Sequence, residues 1–232
     1  MRLFAGTSGF SYPEWKGTFY PPEIRPAEML GFYAQRLPAV EINNTFYRLP
    51  KLEVLQGWSA QVPEDFRFVL KAPRRITHIK RLKDVEEEVR YFLNTANVLT
   101  HRLGCVLYQL PPFLRKDRSR LQAFIELLPK TPKTAFEFRH PSWSDSEVLE
   151  LLAQRNLAWC VSDPESQTAI QEISNGSWGY LRLRQDHYTE DGLKDWAKTV
   201  RGQPWETAYV FFKHETDGPR LAGRFLELAE HR

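Results

Sequence analysis

Along the chain, eight short runs read as strands, most of them too continuously apolar for a sheet that is wet on one face: residues 3–6, 39–43, 67–71, 105–109, 134–138, 157–161, 180–184 and 208–213. Such runs suit parallel strands covered on both sides. Segments of helical period fill the intervals. Residues 27–37 set Met29, Leu30, Tyr33 and Leu37 on one face, and 52–62 follows. The longest, 84–102, carries a stripe of Val85, Val89, Phe92, Leu93 and Leu99 behind an acidic first turn, Glu86, Glu87 and Glu88, that complements the helix dipole. Residues 118–128 begin behind Asp117 as an N-cap, and 145–155 behind Ser144 with Glu147 three positions on, a capping box. Residues 190–199 and 219–229 complete the set, the last after an Asp217-Gly218 turn. Between the sixth and seventh strands, ESQTAIQEISNGSW has a poor stripe, so the sixth helix is expected to be weak or irregular.

Strand and helix alternate through all 232 residues with no linker, short repeat or low-complexity tract. This predicts one α/β domain, 1–232, on a parallel sheet. Eight such units fit a closed (β/α)8 TIM barrel, which takes about 250 residues and tolerates about 200. An open doubly wound sheet is the alternative that patterning leaves standing. The glycine-rich Gly6-Thr7-Ser8-Gly9 has the spacing of neither a dinucleotide fingerprint nor a phosphate loop, and it is no nucleophile elbow.

Composition narrows this little. Hydrophobic residues at 42% and aromatics at 13% exclude a disordered chain. The net charge of +3 is a mild bias toward anions, short of the basic stripe of a dedicated nucleic-acid binder. Cys105 and Cys160 sit in apolar strands, spaced for neither zinc nor a disulfide framework, and read as reduced core residues. No apolar run approaches about 18 residues and no leader-like segment is evident, so a cytoplasmic protein without membrane contact is expected.

The chemistry gathers where strands end. In a barrel, alternate residues face the interior, and active sites lie at the carboxyl ends of the strands. If Phe136 and Phe138 face the helices, Glu137 and Arg139 face inward. The same parity offers Glu41 and Asn43, Lys71, Gln109, Arg182 with Arg184, and Lys213; the sixth strand ends in Asp163. Lys71, Arg139, Arg182, Arg184 and Lys213 against Glu41, Glu137 and Asp163 leave a cationic surplus, which predicts a polar pocket that favours an anion. Glu137 and Arg139, about 7 Å apart on one face, are expected to pair with neighbours such as Lys71 and Asp163 or with substrate.

Five ordered segments, GTSGFSYPEWKGTFYP, VEINNTFYRLP, FVLKAPRRITH, GCVLYQLPPF and FEFRHPSW, resemble the YecE-like family, domain of unknown function 72, over essentially the whole chain. The resemblance implies a TIM-barrel fold and leaves the activity open. Its motif residues include Gly6, Ser8, Gly9, Tyr12, Trp15, Glu41, Asn43, Thr45, Phe46, Lys71, Thr77, His78, Gln109, Glu137, Arg139, His140, Trp143 and Asp163. Strand eight departs from the pattern: many members end it in an Asn-containing run, where this chain has Phe212-Lys213-His214-Glu215.

Three readings follow. The leading one is an enzyme acting on an anionic phosphate- or sugar-containing small molecule, with Glu41, Glu137, Asp163 and Lys71 as catalytic candidates. Lys71, Arg139 and Arg182 would clamp the anion; Asn43, His78 and Gln109 would orient it, with His140 and Arg184 also contacting it; Tyr12 and Trp15 would stack against it, unless their aromatic cluster serves to pack the first loop onto the barrel. Lys71 is also a possible Schiff-base amine. The second is a nucleic-acid binder or phosphodiesterase resembling endonuclease-four-type barrels, using the basic stretch from Arg74 to Lys83. The third is a non-catalytic scaffold. The cofactor is open: His78, His140 and His214 with Glu137 and Asp163 lack any diagnostic metal spacing, so a metal is not favoured. The oligomeric state is not specified by the sequence.

Overall fold

Apolar runs bounded by turn residues leave their strands no wet face, so each must be covered twice. A computed structural model, which describes residues 1–163 and 176–230, shows how. Strands β1 (Arg2–Ser8), β2 (Ala39–Ile42), β3 (Arg67–Lys71), β4 (Leu103–Gln109), β5 (Lys133–Glu137), β6 (Ala158–Ser162), β7 (Trp178–Leu183) and β8 (Thr207–Phe212) pair in sequence order, all parallel. β8 closes on β1 through the register Arg2 to Thr207. The fold is a (β/α)8 TIM barrel, and closure excludes the open sheet.

Helices α1 (Met29–Ala34), α2 (Leu52–Ala60), α3 (Glu86–Ala96), α4 (Arg118–Glu126), α5 (Ser146–Gln154), α6 (Glu190–Arg201) and α7 (Gly218–Glu230) surround it. The expected weak helix between β6 and β7 falls largely on residues outside those described. Asp117 caps α4 as expected, accepting from the Arg120 amide at 3.0 Å. On α5 the cap is Asp145, one residue later than expected, accepting from the Glu147 amide at 2.9 Å. The predicted helix 84–102 is shorter: after Ala96 it tightens into a 3-10 turn, Asn97–Arg102, broken at Thr100 (φ 50°, ψ −129°).

The barrel interior changes character along its axis. Its floor is apolar, with Phe4, Val69, Cys105, Leu107, Tyr209 and Phe211 packed together. Further toward the carboxyl ends of the barrel strands stand Ser8, Glu41, Lys71, Gln109, Glu137, Ser162 and Arg182, all buried. Phe68, Leu70, Tyr108 and Phe136 point the other way, under the helices. One sheet therefore seals a dry floor and holds a charged ring above it.

Gly6 pins the β1–β2 seam, because a Cβ there would stand 1.8 Å from the Ala39 carbonyl oxygen and 2.8 Å from the Tyr33 hydroxyl. That hydroxyl stitches the seam, accepting from the Thr7 amide at 2.8 Å and donating to Ala39 O at 2.9 Å. Gly6→Ala is expected to cost about 2 kcal/mol or more through overpacking, read as a fall in melting temperature; an unchanged melting point would show the seam to be slack.

Candidate active site

The ring is organised by Arg182. Its position on β7 aims the guanidinium across the barrel, where Nη1 donates to Glu137 Oε2 at 2.7 Å and Nη2 to Glu41 Oε1 at 3.0 Å. Arg182 Nε adds a contact to Glu41 Oε2 at 3.0 Å. The side chains are 2% (Arg182), 0% (Glu41) and 1% (Glu137) exposed, so the triad is dry. Glu41 also accepts from Ser8 Oγ at 2.5 Å, the Tyr180 hydroxyl at 2.6 Å and Asn43 Nδ2 at 3.2 Å. Glu137 takes Gln109 Nε2 at 2.8 Å. Burial pushes both carboxyls up, but Arg182 and these donors outweigh it, and both end below the ordinary carboxylate value.

This corrects three expectations. Glu137 pairs with Arg182 and Gln109, not with Lys71 or Asp163. Arg182 is no open anion clamp, since its donors are committed to Glu41, Glu137 and, at 3.5 Å, Asn43. Asp163 leaves the ring: Ser162 holds the inward parity of β6, while Asp163 accepts from the Arg184 amide at 2.5 Å and the Tyr188 hydroxyl at 2.6 Å. Burial raises the Asp163 carboxyl above its ordinary value despite those bonds. Arg184 follows it toward this corner, its Nε donating to Ser162 Oγ at 3.0 Å.

Lys71 is the cation left over. Its ammonium lies 4.2 Å from the centroid of the Phe46 ring. The residue is 8% exposed. Among the described residues Lys71 Nζ donates no hydrogen bond and makes no contact ion pair, because Arg182 occupies the carboxylates that would have taken it. Thr45 holds the backbone here, Oγ1 donating to Lys71 O at 2.6 Å. Burial, then the Arg182 charge, lower the Lys71 pKa to about 8 against the pull of Glu41 and Glu137. His78 follows on a π-helical turn, Arg75–Ile79, edge-on to Phe46 at 4.8 Å. Burial and the charges of Lys71 and Arg139 lower the His78 pKa to about 4, so it is neutral near pH 7. Arg139 stands half-buried on the same side.

Other expected ligand contacts serve the scaffold. Trp15 is 1% exposed, its Nε1 donates to Glu215 O at 2.7 Å, and it packs on Tyr12 and Tyr20, closing the first loop onto the barrel rather than offering a stacking face. His140 caps its own turn, accepting from the Ser142 amide at 3.1 Å. His214 accepts from the Asp217 amide at 3.0 Å, and Lys213 is exposed. Among the described residues no group of three or more His, Cys, Asp or Glu side chains is arranged to hold a metal. Tyr12 remains half-buried between two clefts of about 380 and 530 Å³, the first reached by Asn43 and the second by Ser8, both of which touch Glu41.

The sequence reading missed Ser8, Phe46 and Tyr180 as site groups. Parity marked Tyr180, two residues before Arg182. Phe46 lies beyond β2, where no strand parity reaches.

Arg182→Leu strands two buried carboxylates and is expected to cost about 3–5 kcal/mol, a fall of about 6–20 °C in melting temperature for a chain of this size. Both folded carboxyl values lie below the ordinary 4.5, so their contribution is complete above that pH and is lost as pH falls below it. Melting curves against pH should show this acid limb flattened in Glu41→Gln.

Residues 4–232 match the family described as "Protein of unknown function DUF72". The UPF0759 protein YecE of Escherichia coli K12 is 33% identical over 143 residues, which cover 61% of this chain and 50% of that one; the match thus spans about half of that relative. The UPF0759 protein YunF of Bacillus subtilis is 27% identical, covering 93% of this chain and 90% of its own. A DUF72 family protein from Thermotoga maritima superposes with a TM-score of 0.82 at 26% identity, each chain wholly covered. One from Enterococcus faecalis does so at 0.80 and 19% identity, covering 100% of this chain and 98% of that one, a likeness of fold. With the family match running from near the first residue to the last, the chain belongs to the DUF72 family.

Proposed function

We propose that the protein is an enzyme acting on an anionic, phosphate- or sugar-containing small molecule at the carboxyl end of the barrel. One observation carries this: the buried Lys71 ammonium has no anion in direct contact among the described residues, beside a neutral His78 and a half-buried Arg139. A buried charge without a contact counter-ion costs stability unless a ligand completes it. Glu41 and Glu137, both bound by Arg182 and together one charge in excess of it, hold the negative side of the ring, and Asn43 and Gln109 orient it. Asp163 sits at the β6–β7 corner of the same mouth. The cytoplasm is part of this reading, supported by Cys105 and Cys160 being buried free thiols. Among the described residues no helix is long and apolar enough to cross a membrane.

A second reading, nucleic-acid binding, is favoured by the rim. Tyr47 and Phe113 are 73% and 62% exposed on loops after β2 and β4, and the Arg81 guanidinium lies 5.5 Å from the Phe113 ring. Exposed aromatics beside arginines can stack bases along a strand. Arg74 and Lys83 are exposed on the same loop as Arg81, whereas Arg75 and Lys80 are tied to Glu88 at 2.8 and 2.9 Å.

Calorimetric titration with inorganic phosphate and sugar phosphates is expected to show binding that weakens about tenfold in Arg139→Ala, equivalent to about 1.4 kcal/mol. Unchanged binding in that variant would contradict the assignment. Lys71→Met should lose anion affinity yet melt about 2–8 °C higher, because it removes a cation that burial disfavours. The wild type should also gain stability as pH rises from about 8 to 10.5, where only the unfolded chain keeps the proton, and Lys71→Met should not. Anisotropy with labelled single-stranded DNA tests the second reading: steeply salt-dependent binding supports it, and a flat response removes it.

A further inference from the structure

We propose that Lys71 Nζ condenses with the carbonyl carbon of an anionic aldehyde or ketone bound in this site, forming an iminium. This rests on the small-anion reading above and names its substrate class: a carbonyl compound carrying a phosphate or carboxylate.

Geometry sets Lys71 apart from an anion clamp. A lysine used for charge alone is served by hydrogen-bond acceptors that fix its ammonium. Here Arg182 has taken Glu41 and Glu137, the two carboxylates whose charges act on Lys71, and the amine rests on the Phe46 face at 4.2 Å. Its lone pair, once bared, therefore has no protein acceptor to break from among the described residues. The charged and titratable groups facing it are Glu41 from β2, Glu137 from β5, Arg182 from β7, Lys213 beyond β8, and His78 on the turn after β3. Burial and the two cations bring its pKa down to about 8, which leaves roughly a tenth of the amine unprotonated near pH 7.

The step balances. The ammonium gives one proton to solvent, and the nitrogen lone pair forms the C–N bond while the carbonyl π electrons move to oxygen. A second nitrogen proton passes to that oxygen. With one proton returned from solvent, the oxygen leaves as water and the nitrogen pair closes the C=N bond. Ammonium plus carbonyl thus becomes iminium plus water, one positive charge on each side. The ring of Glu41, Glu137 and Arg182 sees a cation before and after, and the Phe46 face that holds an ammonium holds an iminium by the same cation–π attraction.

The test is reductive trapping. Protein would be incubated with dihydroxyacetone phosphate, pyruvate or pyridoxal 5′-phosphate, each an anionic carbonyl probe, then reduced with sodium borohydride and mapped by peptide mass spectrometry. The expected result is a secondary-amine adduct on Lys71 at least tenfold above any other lysine with one or more probes, its yield rising with pH through about 8. Lys71→Arg should keep phosphate affinity and lose the adduct. Labelling spread evenly over surface lysines, or none on Lys71 with all three probes, would overturn the proposal. Parallel calorimetry with inorganic phosphate separates the two levels. Phosphate binding without trapping sinks the iminium and leaves the anion site standing; absence of both removes the site and the iminium together.

Discussion

Everything at the mouth of this barrel depends on one guanidinium facing two carboxylates. Arg182 binds Glu41 and Glu137 at 3.0 and 2.7 Å in a space with almost no solvent. Each of those ions carries a desolvation cost of several kcal/mol, offset only by close geometry and further hydrogen bonds. The structure supplies both. Ser8, Tyr180 and Asn43 serve Glu41, and Gln109 serves Glu137, so five strands and the residue just past β2 are laced through the ring. The apolar floor beneath excludes water from below and raises the stakes of each bond.

The same arrangement decides what is left for chemistry. Two carboxylates and Arg182 alone would leave a net negative ring, which Lys71 balances from a distance without touching it. Its position is held by packing and backbone, through Phe46 and Thr45, rather than by its own charge. The chain beyond Lys71 is correspondingly irregular. A π-helical turn carries His78, and Arg81, Leu82 and Asp84 then adopt left-handed backbone at φ 52°, 66° and 50°. Such conformations cost about 1–3 kcal/mol each and persist where surrounding structure over-determines them. Leu82, 4% exposed, is the anchor that holds this loop down.

Much of this was legible in the residues, for reasons that can be named. Runs such as VLYQL and AFEF have parity strong enough to assign Gln109 and Glu137 inward and Phe136 outward, because a closed parallel barrel permits one pattern of burial. Pairing was not legible. Parity says that Glu137 and Arg182 share an interior but not that the Arg182 guanidinium reaches past β6 to Glu137, so it points equally to Lys71, a partner that Arg182 in fact displaces. Asp163 went astray by one residue, since AWCVSD ends in two polar positions and the tie to Tyr188 lies in a loop. Trp15 and His140 sit in family motifs for structural reasons, a distinction that requires their neighbours Glu215 and Ser142 to be seen.

Arg182 saturates the carboxylates and leaves Lys71 a buried amine of weakened basicity. The direct measurement is an NMR titration of 15Nζ- and 13Cε-labelled lysine in the intact protein, with the Lys71 signal assigned by its loss in Lys71→Arg. A midpoint near 8 is predicted. A midpoint at or above the ordinary 10.5 would mean that Lys71 holds a carboxylate after all, and the account of the site would fall.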